Sequence, residues 1–87
     1  MPNITLKFKD SVIGRYPIEK GKSLAIGRRK DNDIVIDNLA VSGHHAKIDA
    51  AGDAFVLVDL QSKNGSFVNE QLVSSHWLKD GDVISVG

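Results

Sequence analysis

The stretch VSGHHAKI, residues 41–48, joins a polar loop to an alternating run. Ser42, Gly43, His44 and His45 form the loop, and Ala46, Lys47 and Ile48 alternate as a half-buried strand does. A serine hydroxyl at the mouth of a strand can donate to a bound anion or satisfy a nearby backbone group. Taken alone, Ser-Gly before a strand is ordinary turn chemistry. Its flanks change the reading. Gly27-Arg28 closes another alternating run upstream, and Ser62-Lys63-Asn64-Gly65 is a turn signal between two strands downstream. An arginine, a serine and a lysine beside an asparagine therefore stand on three strand-end loops. Those loops need only meet at one end of a sandwich to form an anion site.

Outward from this stretch the chain keeps the same rhythm. Ile4, Leu6 and Phe8 alternate with Thr5, Lys7 and Lys9, a half-buried strand with a basic outer face. VIGRYPI, residues 12–18, reads as a second strand, and Pro17 makes it an edge or its end because proline cannot donate to a ladder. Leu24 and Ile26 lead into Gly27, residues 28–33 are a polar loop, and Ile34 and Ile36 form a short strand. Beyond residue 48, Gly52-Asp53 turns the chain from Ala46/Ile48/Ala50 into Phe55-Val56-Leu57-Val58, which is apolar on both faces and predicted to be central. Further short strands are expected at Phe67–Asn69, with a Glu70-Gln71 turn, at Leu72-Val73 and at Val83–Val86, while Ser74-Ser75-His76 reads as polar connection. No helical periodicity exceeds a turn. Many short strands with turn signals between them predict an all-β sandwich or barrel, one domain over residues 1–87, with Met1 placing it at the N-terminus of whatever follows.

Composition narrows the function classes. Eleven basic residues balance eleven acidic ones, which argues against general nucleic-acid binding, where a basic surplus displaces counterions. The absence of cysteine removes a disulfide framework, a thiolate zinc site and a cysteine nucleophile. Apolar runs are only a few residues long and the N-terminus alternates, so no membrane span or secretory signal is visible and a cytoplasmic location is expected. Enzyme readings are weak. Ser42 and His45 lie three apart, a spacing that sends side chains to opposite faces of extended chain, and no G-x-S-x-G elbow surrounds the serine. The adjacent imidazoles of His44 and His45 diverge, and His76 is the only other histidine, so no metal site is expected. Neither phosphate-loop nor dinucleotide-binding glycine pattern is present, and no cofactor is expected.

The anion reading fits better. Arg28 offers a fork of five donors, Lys63 a mobile point charge, and Ser42 a hydroxyl. The amide of Asn64 can pair with both a backbone N–H and a C=O of an extended peptide, and Gly65 supplies a turn conformation.

The ordered set Gly27-Arg28, Ser42-Gly43-His44-His45 and Asn64-Gly65, with NDIVID before the serine loop, DLQSKNGSFVN around Asn64 and LKDGDVISVG at the end, resembles the forkhead-associated (FHA) domain family. The resemblance covers residues 4–87. It implies a β-sandwich of about eleven strands in two twisted, mainly antiparallel sheets, whose end loops bind phosphothreonine peptides of partner proteins. Carried over, Arg28 and Ser42 become phosphate ligands, Lys63 a further contact near the phosphate, and Asn64 the reader of the peptide backbone. Gly27, His45 and Gly65 become architectural, His45 supporting the serine loop from behind.

Two departures stand out. The family commonly has Arg or Asn after the serine, and Gly43 has no side chain. Losing a charge-assisted hydrogen bond costs about 1.5–3 kcal/mol unless Lys63 or Arg29 compensates. The alternative this favours is an FHA fold used for phosphate-independent interaction or dimerisation. The family also ends with one more strand beside the first, and the chain stops at Gly87, where that strand should begin. Its loss would leave Ile4–Phe8 as an exposed edge, open to a homodimer or a swapped strand.

Overall fold

A computed structural model describes residues 2–87, so Met1 lies outside the described residues. Ten strands follow in order: β1 Asn3–Phe8, β2 Ser11–Pro17, β3 Leu24–Gly27, β4 Ile34–Val35, β5 Ala46–Ala51, β6 Ala54–Asp59, β7 Ser66–Val68, β8 Gln71–Val73, β9 Ser75–Trp77 and β10 Val83–Val86. They form two five-stranded sheets, ordered β2-β1-β10-β7-β8 and β4-β3-β5-β6-β9. Most pairings are antiparallel; β1 with β10 and β3 with β4 run parallel.

The alternation read from the sequence sets which faces meet. Ile4 and Leu6 of β1, Val68 of β7, and Ile84 and Val86 of β10 point inward from one sheet. Ile26, Ile34, Ala46, Ile48, Phe55 and Leu57 point inward from the other, and all join one buried cluster. Burying each valine, leucine, isoleucine or phenylalanine of this set contributes about 1.5–3 kcal/mol, so register is strongly fixed: a one-residue slip would turn this set outward.

Two expectations change. Ile4–Phe8 is not an edge. β10 lies along one side of β1, pairing Thr5 with Val83 through Phe8 with Val86, and β2 lies along the other. The edges of that sheet are β2 and β8. β2 carries its own protection, a bulge at Ile13, where the register with β1 shifts, and Pro17 at its end. The second change is β9, which the polar reading of residues 74–76 missed. It pairs Val56 with Trp77, Leu57 with His76 and Val58 with Ser75, so β6 has a ladder on each edge, with β5 and with β9, and is not an edge strand. A smaller shift concerns the β7–β8 turn. Asn69 and Glu70 both adopt positive φ (49° and 71°), a two-residue hairpin turn one position earlier than expected.

Candidate functional site

Antiparallel order decides where the loops go. β3 ends, β5 begins, β6 ends and β7 begins at the same end of the sandwich. The loops at 28–33, 36–45 and 60–65 therefore converge, and hydrogen bonds stitch them together.

The first seam joins the arginine and serine loops. Arg28 N–H donates to Ser42 O (3.0 Å) and Arg29 N–H to Gly43 O (3.2 Å). This approach requires Gly27: a Cβ there would overlap the Gly43 carbonyl oxygen and sit 2.8 Å from Asn32 Nδ2. The second seam joins the serine loop to the 60–65 loop. Lys63 N–H donates to Ser42 Oγ at 2.8 Å, and Asn64 Nδ2 donates to Ala40 O at 2.7 Å.

His45 is fully buried beneath both loops. Its Nδ1 accepts from Ser42 N–H at 3.2 Å, and its Nε2 lies 2.7 Å from Gly65 O. These partners select the tautomer with hydrogen on Nε2, which then donates to the carbonyl. Both ring nitrogens are engaged by backbone groups, so the ring braces the loops and is not poised as a base for the Ser42 hydroxyl. The other imidazoles lie elsewhere: His44 pairs with Asp31 (3.5 Å) on the surface, and His76 faces Asp82 (3.8 Å).

Asp59 is a residue to which the sequence reading assigned no role. It closes β6, and its carboxylate accepts from Ser62 N–H (3.1 Å), Ser62 Oγ (2.5 Å) and Ser66 Oγ (2.7 Å). Ser62 Oγ in turn accepts from Gly65 N–H at 3.0 Å. Burial pushes the Asp59 carboxyl upward, but the Ser62 and Ser66 hydroxyls and the Ser62 N–H together hold it below its ordinary value of 3.8. The spacing Asp-x-x-Ser-x-x-x-Ser was the available signal, since Asp and Ser at i and i+3 bond locally in turns.

Over this frame the charged heads are exposed. The guanidinium of Arg28 and the ammonium of Lys63 stand in solvent without an ion pair among the described residues. Arg29 lies over Gly43: a Cβ on Gly43 would come within 3.0 Å of Arg29 Cγ and Cδ. Its guanidinium stands 3.8 Å from Asp31. The structure thus brings Arg28, Arg29, Ser42, Gly43, Lys63 and Asn64 to one end, on a base of Gly27, His45 and Gly65. Ser42 Oγ accepts from a backbone N–H, which leaves its own hydrogen free to donate outward. Asn64 spends one N–H on Ala40 and keeps its carbonyl oxygen and second N–H.

Known proteins agree with this architecture. The family model described as the FHA domain matches residues 24–87. The transcriptional regulatory protein EmbR of Mycobacterium tuberculosis is 44% identical over 79 residues, covering 88% of this chain and 20% of that protein. A structure of M. tuberculosis EmbR in complex with a low-affinity phosphopeptide superposes with a TM-score of 0.76 at 37% identity, covering 95% of this chain and 21% of that one. An oxoglutarate dehydrogenase inhibitor of Corynebacterium jeikeium is 39% identical over 66 residues, 76% of this chain and 46% of that protein. A structure from an analysis of phosphothreonine-dependent FHA domain interactions gives a TM-score of 0.77 at 34% identity, over 98% of this chain and 84% of that one. The chain spans less than half the length of these curated relatives. With a matching family model over most of its length and the loop geometry to go with it, the chain belongs to the FHA domain family.

Proposed function

We propose that this chain is a phosphothreonine-peptide binding module and not an enzyme, acting in the cytoplasm as an adaptor for a phosphorylated partner protein. Arg28 supplies a bidentate fork to the phosphate, Ser42 a hydroxyl donor and Lys63 a point charge. A phosphate near −2 charge meets this local cluster although the whole chain is neutral. Asn64 reads the peptide backbone with the amide atoms that Ala40 leaves free. Arg29, whose stem fills the space over Gly43, supplies the donor that a side chain at that position would otherwise bring. This weakens the case for a phosphate-independent role. The ligand comes from outside these 87 residues: Thr5 is the sole threonine and is locked between β2 and β10.

The observation that carries the reading is the Lys63 N–H donated to Ser42 Oγ. It orients the hydroxyl as an outward donor between two unpaired cations. Calorimetric titration with degenerate phosphothreonine, phosphoserine and unphosphorylated peptide libraries tests it. Binding with phosphothreonine alone, at about 1 μM or about −8 kcal/mol, is expected. Equal binding to the unphosphorylated library would move the function to phosphate-independent interaction.

A further inference from the structure

Asn32 lies in the 28–33 loop, two residues before β4, and is 7% exposed. Its side-chain nitrogen donates twice: to Arg29 O of its own loop at 2.7 Å and to Gly43 O of the serine loop at 2.8 Å. Its Oδ1 is buried without a partner, the one such side-chain atom among the described residues. A buried unpaired acceptor costs stability, so an asparagine here needs a reason. The reason is its donor count. At this reach only a primary amide offers two N–H groups from one atom; serine and threonine offer one, and an ionised aspartate none.

The position of those donors matters more than their number. Arg29 O follows Arg28 by one residue, and Gly43 O follows Ser42 by one. Arg28 N–H to Ser42 O and Arg29 N–H to Gly43 O are the backbone hydrogen bonds between these two loops among the described residues, and the exposed pair of Asp31 and His44 (3.5 Å) lies outside them on the surface. The Asn32 amide also forms the wall that a Cβ on Gly27 would strike. Being buried, it does not reach a ligand above the loops.

We propose that Asn32 is a positioning residue of the anion site: its amide clamps the arginine loop to the serine loop and thereby sets the separation between the Arg28 guanidinium and the Ser42 hydroxyl. The proposal rests on the phosphopeptide reading. Asn32→Asp keeps the shape and removes both donors, so it turns a clamp into repulsion between a carboxylate and two carbonyls.

The test compares wild type, Asn32→Asp, Asn32→Ala and a remote core variant, Phe55→Leu, at the far end of β6. Affinity for a phosphothreonine peptide, thermal midpoint and backbone amide resonances are measured for each. Both Asn32 variants are expected to bind at least about tenfold more weakly, with the Arg28, Arg29, Ser42 and Gly43 amides displaced. Phe55→Leu is expected to hold its affinity within about twofold at an equal or greater loss of thermal midpoint. Should the Asn32 variants fail to fold, a through-hydrogen-bond correlation between the Asn32 side-chain nitrogen and the Gly43 carbonyl carbon in the wild type decides the matter; its absence overturns the clamp. Wild type that binds while the Asn32 variants bind no worse than Phe55→Leu overturns the positioning role alone. Wild type that binds no phosphothreonine peptide overturns the phosphopeptide reading and this role with it.

Discussion

Replacing Asp59 by asparagine isolates what holds the 60–66 loop. The carboxylate accepts three hydrogen bonds, two at Oδ1 from the Ser62 and Ser66 hydroxyls and one at Oδ2 from Ser62 N–H. The best placement of the new amide keeps its oxygen beneath the hydroxyls. Its NH2 then faces Ser62 N–H at the former 3.1 Å, donor against donor. One charge-assisted bond is lost outright and the other two lose their charge. Such a bond is worth about 1.5–3 kcal/mol, and partial exposure of the group favours the lower half. A loss of about 2 kcal/mol follows, which for a chain of this size lowers the thermal midpoint by roughly 8–16 °C.

The same substitution carries a pH signature. The folded-state carboxyl titrates below its ordinary value of 3.8, so its contribution is present above that value and is lost as pH falls through the lowered one. Thermal and urea unfolding of both proteins from about pH 7 to about pH 2 should show a full deficit at neutral pH that closes in acid. A deficit under about 0.5 kcal/mol at neutral pH, the ordinary range for a surface change, or one that persists unchanged at the acid end, would refute the reasoning. Because Ser62 Oγ also anchors Gly65 N–H and the loop presents Lys63 N–H to Ser42, phosphopeptide affinity should fall as well.

Other substitutions separate frame from ligand contact. Arg28→Ala should abolish phosphopeptide binding by calorimetry while leaving the thermal midpoint within a few degrees, since the exposed guanidinium supports nothing else. Gly27→Ala should destabilise the fold by at least about 1–3 kcal/mol in urea unfolding, because its Cβ meets the Gly43 carbonyl and Asn32. At position 63, alanine should weaken binding moderately by removing one charge, whereas proline should weaken it far more by removing the N–H that orients Ser42. His45→Ala should loosen both loops at once, visible as faster amide exchange at Ser42 and a thermal loss of about 2–4 kcal/mol from two buried hydrogen bonds and a cavity.

Local chemistry made part of this legible in the sequence. Alternation at Ile4/Leu6, Ala46/Ile48 and Val83–Val86 needed no partner to be read, and it placed the strands that form the two sheets. Gly27, Ser42 and Asn64 were visible because each sits at a strand end where a side chain or its absence has a defined use. What stayed hidden depends on long-range pairing. Ser75-His76-Trp77 is a strand only because β6 offers it a ladder. Ile4–Phe8 escapes the edge because β10 arrives beside it after nearly the whole chain. Asn32 looks like one more polar loop residue until Gly43 is brought under its amide. Lys63 shows the same limit: its charge was legible, but the use of its backbone N–H was not.

The most direct test of the account is a backbone amide titration by nuclear magnetic resonance, with a phosphothreonine peptide set against its phosphoserine twin. The account predicts saturable displacement of the Arg28, Ser42, Gly43, Lys63 and Asn64 amides with phosphothreonine, at least about tenfold weaker with phosphoserine. Displacement centred on the outer sheet face around Thr5, Lys7 and Val83, or none at that end of the sandwich, would contradict it.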